Sequence, residues 1–595
     1  MKAMKTVYHP IKALSLCVLL SASATLVAQE ENEGLARQLT LEREYDPSVQ
    51  DANKVNTLPA IKEPTITRTP IDYAFLSIPT DPPREIGVLP ASRIMADMKY
   101  NKRRGYLNFG GGTYLNLNGD AGYHILSSDK DQLNVFFSHR STNGNVKYLE
   151  GFLKDEKVKA KLNDNLGGVD FRHVFKKVAL SLGGRYAYTA FNYYGLPYQG
   201  LLDMEEDVDT KSNQVNQRVT VKTGLESLPG IGPLDYYVNL DYTNFWYKYG
   251  KDIHSPGITE HTMDARFGLS AAFNGNRRVG VDFKFIYFNY NLPLQSTAHF
   301  GNYLEGTLQP YYKIEGDSWN IKLGANVMFY TDDSEKSFLS PKIEKVFVSP
   351  NIAMDINVGS KTVLYLDAGG RISSNSAFQL SRENLYIDPY DETWITRIPF
   401  DATLGVKSGI LPGFWFNVFG GYRIAWDDYF YIPNRAWWGF GNISQTIPLD
   451  SKLLRGGLEL KYAYQRLFEV SLKGVYNRWK VENKHMQLVD NIGGSAPWEP
   501  YGRPKAEITA GLLLRPVDKF AVSLDYYLAT GRYVRKSWNE KMKDINELNF
   551  TGSYTFNDTF GAYIKLNNLL FRRYELIYGY PLQGFNAMAG ININF

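Results

Sequence analysis

Cysteine is almost absent from this chain of 595 residues, and its single copy is Cys17. That residue lies in an N-terminal segment that we expect to be removed, which leaves a mature protein without thiols, disulfides or cysteine ligands for a metal. Long apolar runs are also absent, because beyond the N-terminus no stretch reaches the roughly 18 to 20 residues of a membrane-spanning helix. If the chain crosses a membrane, a closed β-barrel is the fold that remains, since it pairs every backbone group within the lipid.

Motifs that would indicate an enzyme or a metal centre are missing too. The chain has eight histidines, and those beyond the N-terminal segment form neither an i,i+4 pair nor a His-Glu-x-x-His pattern. No Gly-x-Ser-x-Gly element is present, and the glycines at 110–112 lack the lysine of a phosphate-binding loop. With 66 basic and 62 acidic residues, the small net charge does not argue for a nucleic-acid partner. We therefore predict a protein that is not an enzyme, needs no cofactor and binds no nucleic acid.

Residues 1–28 have the pattern of a secretory signal peptide. Lys2, Lys5 and Lys12 form its basic end, and an apolar stretch with small residues near its end follows them. Cleavage after Ala24 and cleavage after Ala28 both fit the pattern, and the sequence does not separate them. The segment predicts that the protein is exported from the cytoplasm.

Residues 29–103 differ in composition from the rest of the chain. Prolines interrupt them repeatedly, and their charges are scattered with little periodicity. Because proline removes a backbone donor and restricts the chain, we predict an extended periplasmic segment here. Such a segment could also dock a protein partner in extended form. The prolines are Pro47, Pro59, Pro64, Pro70, Pro79, Pro82, Pro83 and Pro90.

Residues 104–595 alternate between apolar and polar positions with a period of two. This period gives each strand one oily face and one wet face. The predicted strands are mostly about 9 to 14 residues long, which is enough for a tilted membrane crossing. We predict an all-β fold, a transmembrane antiparallel β-barrel of about 22 strands, with 18 or 20 strands as alternatives. One apolar face consists of Val279, Val281, Phe283, Phe285 and Tyr287.

Short and long connections between the predicted strands also alternate along the chain. Tight turns at 176–177 and 359–360 contrast with long connections at 141–167 and 427–450. Outer-membrane barrels have short periplasmic turns and longer outer loops, and an even number of strands leaves both termini on one side. We therefore predict a barrel surrounded by lipid in the bacterial outer membrane, with its N- and C-termini in the periplasm.

The last predicted strand has an apolar face and ends on an aromatic residue at the C-terminus. A strand of this kind resembles the closing strand of bacterial outer-membrane barrels. The resemblance implies that the strand is an assembly signal and that the barrel-assembly machinery is a partner. The residues assigned to the signal are Phe585, Ile591, Ile593 and Phe595.

Two elements before that strand resemble the C-terminal end of TonB-dependent receptors. They are the Asn-Leu-Leu sequence at 568–570, which precedes the last loop, and the Gly-Tyr-Pro sequence at 579–581, which precedes the final strand. The resemblance implies transport or permeation across the outer membrane, or the role of a barrel subunit in an outer-membrane complex.

The chain departs from that family in the segment before the barrel. The family carries a folded plug of well over a hundred residues, whereas about 75 residues separate the signal from the first strand here. We therefore expect the full plug to be absent. The alternative function is a membrane-anchored scaffold whose segment 29–103 docks a periplasmic or outer-membrane protein.

An acidic run in a predicted outer loop is the weak candidate for a metal site. Clustered carboxylates can hold Ca²⁺ through their oxygen atoms. The spacing does not match an EF-hand, and a solvated loop is the plainer interpretation. The carboxylates are those of Asp203, Glu205 and Asp207.

A second predicted outer loop is rich in aromatic residues. Exposed aromatic side chains can stack on a ligand or anchor a partner. The plainer interpretation is the aromatic girdle that barrels carry at the lipid headgroups. The candidates for ligand or partner contact are Tyr429, Tyr431, Arg435, Trp437 and Trp438.

Overall fold

The structure is a computed structural model, and it describes residues 103–595 apart from internal segments. The signal peptide and all but the last residue of the proline-rich segment lie outside the described residues, so their boundaries stay predictions. The internal segments that are not described are 198–212, 229, 251–255, 274–275, 293–300, 333–345, 360, 392–393, 410, 434–442, 484–497 and 536–539.

Strands make up nearly all of the regular structure in the described part of the chain. No helix there is long and apolar enough to span a membrane. The strands are β1 Gly105–Gly112, β2 Leu117–Ser127, β3 Asp131–Lys147, β4 Lys157–Val174, β5 Val178–Asn192, β6 Asn213–Ser227, β7 Leu234–Tyr247, β8 Thr259–Phe273, β9 Arg277–Asn291, β10 Tyr303–Glu315, β11 Trp319–Asp332, β12 Val346–Asn357, β13 Thr362–Ser373, β14 Thr396–Ser408, β15 Phe414–Pro433, β16 Ser444–Tyr464, β17 Phe468–Glu482, β18 Ala506–Val517, β19 Phe520–Thr530, β20 Tyr533–Arg535, β21 Glu540–Lys541, β22 Ile545–Thr555, β23 Phe560–Asn567 and β24 Asn586–Asn594.

Twenty-two of these described strands form one closed antiparallel barrel, and the predicted fold and strand number are confirmed. Each strand pairs with its neighbour along the chain, and β1 closes the ring by pairing with β24. The short strands β20 and β21 form a separate hairpin. At the closure, the backbone N–H of Gly105 donates to the carbonyl of Phe595 at 2.7 Å, and the N–H of Phe595 donates to the carbonyl of Gly105 at 2.9 Å. The C-terminal residue therefore belongs to the barrel wall.

Two of the predicted long connections are largely strand in the structure. β3 and β4 extend into the predicted loop 141–167, and β15 and β16 extend into the predicted loop 427–450. The extensions lie at the end of the barrel that carries the long connections. In these extensions both faces of a strand carry polar and apolar side chains. The alternation of apolar and polar residues, which marks the part of each strand nearer the short turns, is therefore missing from the sequence there.

The outward face carries exposed apolar residues between two belts of aromatic side chains. One belt lies beside the short turns and includes Phe175, Phe273, Phe556, Phe560 and Phe595. Exposed tyrosines of the other belt lie eight residues after the first residue of their strands, which is a rise of about 21 Å for strands tilted by about 40°. This spacing matches the apolar band of about 25 Å in outer-membrane barrels. These tyrosines are Tyr186, Tyr242, Tyr422 and Tyr476.

The inward face explains why glycine and tyrosine are both abundant. The ring of Tyr237 on β7 lies over Gly268 on β8, and its hydroxyl donates to Asp282 on β9 at 3.0 Å. Tyr365 crosses β14 at Gly405 in the same way and donates to Asn417 at 3.0 Å. Each ring can lie flat on the wall because the strand that it crosses has no side chain at that position. Glycine is thus required for close approach rather than for flexibility.

Replacing Gly268 by alanine is expected to destabilise the barrel by about 1 to 3 kcal/mol, because the added methyl group would overlap the ring of Tyr237. Gly474→Ala is the matched control, since a Cβ there would meet open space. Urea unfolding in lipid vesicles measures both variants. The interpretation is wrong if the two substitutions cost the same, or if the cost of Gly268→Ala is undiminished in a Tyr237→Ala background.

Candidate functional site

The largest clusters of buried side chains lie at the end of the barrel that carries the long connections, which we call the mouth. There the connections pack against each other and against the upper ends of strands. The main cluster joins the β5–β6, β13–β14 and β23–β24 connections to several strands. Its members include Phe191, Tyr193, Tyr194, Leu385, Tyr386, Ile545, Tyr574, Tyr580 and Leu582.

The connection between β13 and β14, residues 374–395, lies at the centre of this packing, and we call it the strap. It contains a short helix, α1, over Ala377–Glu383. The side chain of Ser376 caps this helix by accepting a hydrogen bond from the backbone N–H of Gln379 at 3.2 Å. The cap provides a partner for one of the backbone donors that a helix leaves unpaired at its start.

One part of the strap is attached to strands β6, β7 and β8. The buried carboxylate of Glu260 on β8 accepts a hydrogen bond from the backbone N–H of Phe378 at 3.1 Å and another from the hydroxyl of Thr262. The guanidinium of Arg218 on β6 lies 4.7 Å from the centre of the Phe378 ring, and the ring of Phe245 on β7 lies 5.4 Å from it. The carboxylate also lies at the first turn of α1, where the positive end of the helix dipole interacts favourably with a negative charge.

A group of stacked aromatic rings lies in the middle of the strap. The ring of Tyr386 stacks on Tyr580 of the β23–β24 connection with 3.6 Å between centroids. Tyr194 of the β5–β6 connection meets both rings edge to face. The backbone of Tyr386 accepts a hydrogen bond from the N–H of Ser444 on β16 at 2.8 Å. Three widely separated parts of the barrel therefore meet at this one residue.

The end of α1 is attached to the wall at β15. The carboxylate of Glu383 accepts hydrogen bonds from the hydroxyls of Tyr429 at 2.7 Å and Tyr431 at 3.3 Å. The strap begins at β13, reaches β6 to β8 on one side and β15 to β16 on the other, and contacts the connection that precedes β24. Because these strands lie on different arcs of a ring of 22, the strap runs across the mouth.

The connections that pack together at the mouth, including the strap, form what we call the loop cover. A buried arginine joins two further connections of this loop cover. Arg532 follows β19 and is 3% exposed. Its guanidinium donates to the carbonyls of Glu575 at 2.7 Å, Leu576 at 3.4 Å and Lys543 at 2.6 Å. Burial lowers its pKa to about 10, so it stays charged at neutral pH. A charged donor shared among several carbonyls holds the β19–β22 and β23–β24 connections together.

The buried carboxyl group of Glu575 has a pKa close to neutral pH. Burial raises its pKa to about 7. The backbone N–H of Gly579, which donates to the carboxylate at 2.9 Å, opposes the shift. The charge of Glu150 adds to the rise, and Arg532 and Lys543 oppose it. At neutral pH this carboxyl group is therefore partly protonated.

The structure describes some of the sequence-predicted site residues and not others. Tyr429 and Tyr431 lie on β15 rather than in a loop, and they hold the strap through Glu383. Their contact with a ligand or partner stays a prediction. In the described ranges no group of histidine, cysteine and acidic side chains could hold a metal ion. The candidates outside the described residues are Asp203, Glu205, Asp207, Arg435, Trp437 and Trp438.

The residues of the predicted assembly signal lie at the barrel closure. Ile591 and Phe595 are exposed on the outward face, and Ile593 is half-buried on the same face. Phe585 precedes β24 and stacks on Phe571 with 5.0 Å between ring centres. Recognition of this strand by an assembly machinery stays a prediction.

Sequence reasoning missed the strap and the buried pair of Arg532 and Glu575. The Ser-x-x-Gln spacing of Ser376 and Gln379 is a helix-start signal of the capping-box type, and it could have revealed α1. No local signal could have identified Arg532, because its carbonyl partners belong to other connections.

Together, the closed wall, the outward apolar band and the covered mouth define a β-barrel of the outer-membrane class. No protein-family model matches the chain, and no curated protein sequence matches it. Several solved structures share its fold.

The FrpB iron transporter of Neisseria meningitidis, in its F5-1 variant, matches with a TM-score of 0.62 and 11% identity, over 83% of this chain and 83% of that one. The ferric-catecholate import receptor Fiu of E. coli K12 matches with a TM-score of 0.57 and 10% identity, over 84% and 82%. The copper transporter OprC matches with a TM-score of 0.57 and 11% identity, over 84% and 81%.

These structural neighbours are transporters or receptors rather than enzymes. The resemblance to TonB-dependent receptors, first drawn from residues 568–570 and 579–581, is confirmed as a shared barrel fold. At identities this low the likeness concerns the fold alone.

Proposed function

We propose that this barrel mediates gated passage of a solute across the bacterial outer membrane, with the loop cover at its mouth as the gate. The observation that carries the proposal is the course of the strap, which is attached to β6, β8, β15 and β16 and stacks on the β23–β24 connection. A barrel of 22 strands encloses a wide lumen. A cover built from its own connections restricts entry from one side.

The proposal places the mouth at the cell surface and both termini in the periplasm. The short turns, Gly105 and Phe595 share the opposite end of the barrel, and outer-membrane barrels direct their short turns to the periplasm. The iron and copper transporters that share this fold support a role in transport. The same geometry is compatible with a barrel subunit of a larger outer-membrane complex.

Three finer parts of the proposal concern segments or partners that the described residues do not include. The absence of a full plug, which the sequence predicts, would leave the loop cover as the main barrier. Residues 29–103 would be the segment to dock a periplasmic or outer-membrane protein. The C-terminal strand, whose following residue Phe595 pairs with Gly105 at the barrel closure, would engage the barrel-assembly machinery. Its outward face would contact the surrounding lipid.

Single-channel recording in planar bilayers tests the proposal. We expect the mature wild-type protein to conduct poorly, and we expect replacement of residues 376–391 by a short Gly-Ser linker to raise the conductance at least about tenfold, since an unplugged barrel of this size holds an aqueous channel. Residues 151–154, at the mostly exposed tip of the β3–β4 connection, are replaced in the same way as the control for loop surgery.

A second variant separates the loop cover from the N-terminal segment as the barrier. Deletion of residues 29–100 should leave the wild-type conductance nearly unchanged. The loop cover is not the gate if this deletion opens the barrel and the strap replacement does not. Retarded folding or loss of heat-modifiable migration on gels would identify a variant that has not formed a barrel.

A further inference from the structure

A cavity of about 490 Å³ lies beside the strap on the side of β15. Six segments of the chain surround it: the end of α1 and the residues after it, the upper end of β15, the start of β16 at Ser444, the turn at 501–503, the region of Tyr533, Val534 and Met542, and residues 576–582. Its size is that of pockets that hold small molecules. The proposed gating does not use this cavity.

Most of the cavity wall is apolar or aromatic. Ile432, Val534, Met542 and Leu576 contribute aliphatic surface, and the ring of Tyr386 lines one side. A wall of this composition favours a ligand with an apolar or aromatic body, because burying apolar surface of both partners removes it from water.

The side chain of Asn384 supplies an unused hydrogen-bond donor at the cavity. It is 1% exposed, and its Oδ1 accepts a hydrogen bond from the backbone N–H of Tyr386 at 2.9 Å. Within the described part of the chain its Nδ2 atom has no partner. A buried amide donor without a partner destabilises the protein, and an acceptor oxygen of a ligand would remove that cost.

The guanidinium of Arg503 is a second donor at the same cavity. Among the described residues it makes no hydrogen bond and no ion pair within 4.0 Å, although Glu383 and Asp428 act on it electrostatically. Both carboxylates are already engaged, Glu383 with two tyrosine hydroxyls and Asp428 with Arg423 and the hydroxyl of Ser451. The fork of Arg503 therefore remains available, and it matches a carboxylate.

The charges around the cavity favour an anion as well. The ammonium groups of Lys505 and Lys541 lie 5.0 Å and 5.5 Å from the centre of the Tyr533 ring, which lines the cavity. Together with Arg382 and Arg503 they make four cationic groups. The carboxylates of Glu383, Asp428 and Glu499 act on these cations, so the acidic groups are one fewer than the cationic groups.

We infer that this cavity binds a small amphipathic anion, a molecule with an aromatic or aliphatic body and one carboxylate. Arg503 and the Nδ2 atom of Asn384 would donate to the carboxylate, and the apolar wall would hold the body of the ligand. The site goes beyond the proposed gating, and binding is measured at equilibrium whether or not the barrel conducts.

Three naphthalene probes of equal shape and different charge test the site. They are 2-naphthoate, 2-naphthylmethanol and 2-naphthylmethylammonium, titrated calorimetrically into the full-length mature protein in lipid nanodiscs. We expect 2-naphthoate to bind at least about tenfold more tightly than the alcohol, because a charged acceptor strengthens its hydrogen bonds. The ammonium probe should bind more weakly than the alcohol. Equal affinities for the three probes, or no binding of 2-naphthoate at about 10 mM, would overturn the inference.

Two substitutions and a matched control locate the binding. Arg503→Gln should abolish the preference for 2-naphthoate over the alcohol. Asn384→Asp keeps the Oδ1 acceptor and the shape of the side chain while replacing the free donor by a charged oxygen, so it should weaken 2-naphthoate about tenfold or more. Arg573→Gln removes an arginine that pairs with Asp155 on another loop and should leave binding unchanged. If all three variants bind like the wild type, the ligand does not occupy this cavity.

Discussion

Replacing Arg532 by methionine is expected to open the loop cover locally while the barrel stays folded. The guanidinium is buried and donates to three carbonyls on two connections, and methionine fills a similar length without any donor. The loss of hydrogen bonds from a charged group leaves the carbonyls unpaired, which costs about 3 kcal/mol of local stability. That change corresponds to amide exchange faster by about a hundredfold in residues 540–544 and 574–582.

Hydrogen exchange followed by mass spectrometry measures this effect peptide by peptide. Arg573→Met is the matched control, because Arg573 belongs to the β23–β24 connection that Arg532 contacts and pairs with Asp155 at the exposed surface. Its exchange should resemble the wild type. If Arg532→Met also exchanges like the wild type in those segments, the arginine does not hold the two connections together.

The stability of the same loop cover is expected to fall as the pH rises from about 5 to 8. The cause is Glu575, whose pKa is raised by burial from 4.5 to about 7. A carboxyl group with a raised folded-state pKa binds its proton more tightly in the closed state. Its contribution is therefore complete below about pH 4.5, and it is lost as the pH rises through 7. A difference of this size corresponds to about 3 kcal/mol between the two ends of the range.

The substitution Glu575→Gln tests whether Glu575, rather than another titratable group, causes the pH dependence. Glutamine keeps an oxygen that can accept the hydrogen bond from Gly579, but it does not titrate. Exchange of residues 574–582, corrected for the intrinsic effect of pH on amide exchange, should become independent of pH in this variant. A wild-type profile that is already flat between pH 5 and 8, or a variant that keeps the slope, would refute the assignment to Glu575.

The sequence alone was sufficient for most of the barrel. The alternation at Val279–Tyr287 and its counterparts reveals the outward face, because neighbouring side chains on a strand point to opposite sides. Counting such stretches led to 22 strands. The upper parts of β3, β4, β15 and β16 were mistaken for loops, because above the lipid neither face must be apolar and the local signal disappears.

The site at the mouth was predictable only in part. Tyr429 and Tyr431 were recognised as an aromatic feature, but their partner Glu383 lies in a different connection. Tyr580 belongs to the Gly-Tyr-Pro sequence that resembles TonB-dependent receptors, yet no nearby residue in the chain predicts that it stacks on Tyr386. Such partners become neighbours only when the sheet closes into a ring.

By itself the sequence determined that residues 104–595 form a closed sheet with an apolar exterior, because the period of two acts between adjacent residues and needs no distant partner. Only the tertiary structure decided that the strap crosses the mouth. It also decided the positions and neighbours of four side chains, those of Arg532, Glu575, Asn384 and Arg503. Their environments depend on contacts between connections that are far apart along the chain, and closure of the 22 strands is what brings those connections together.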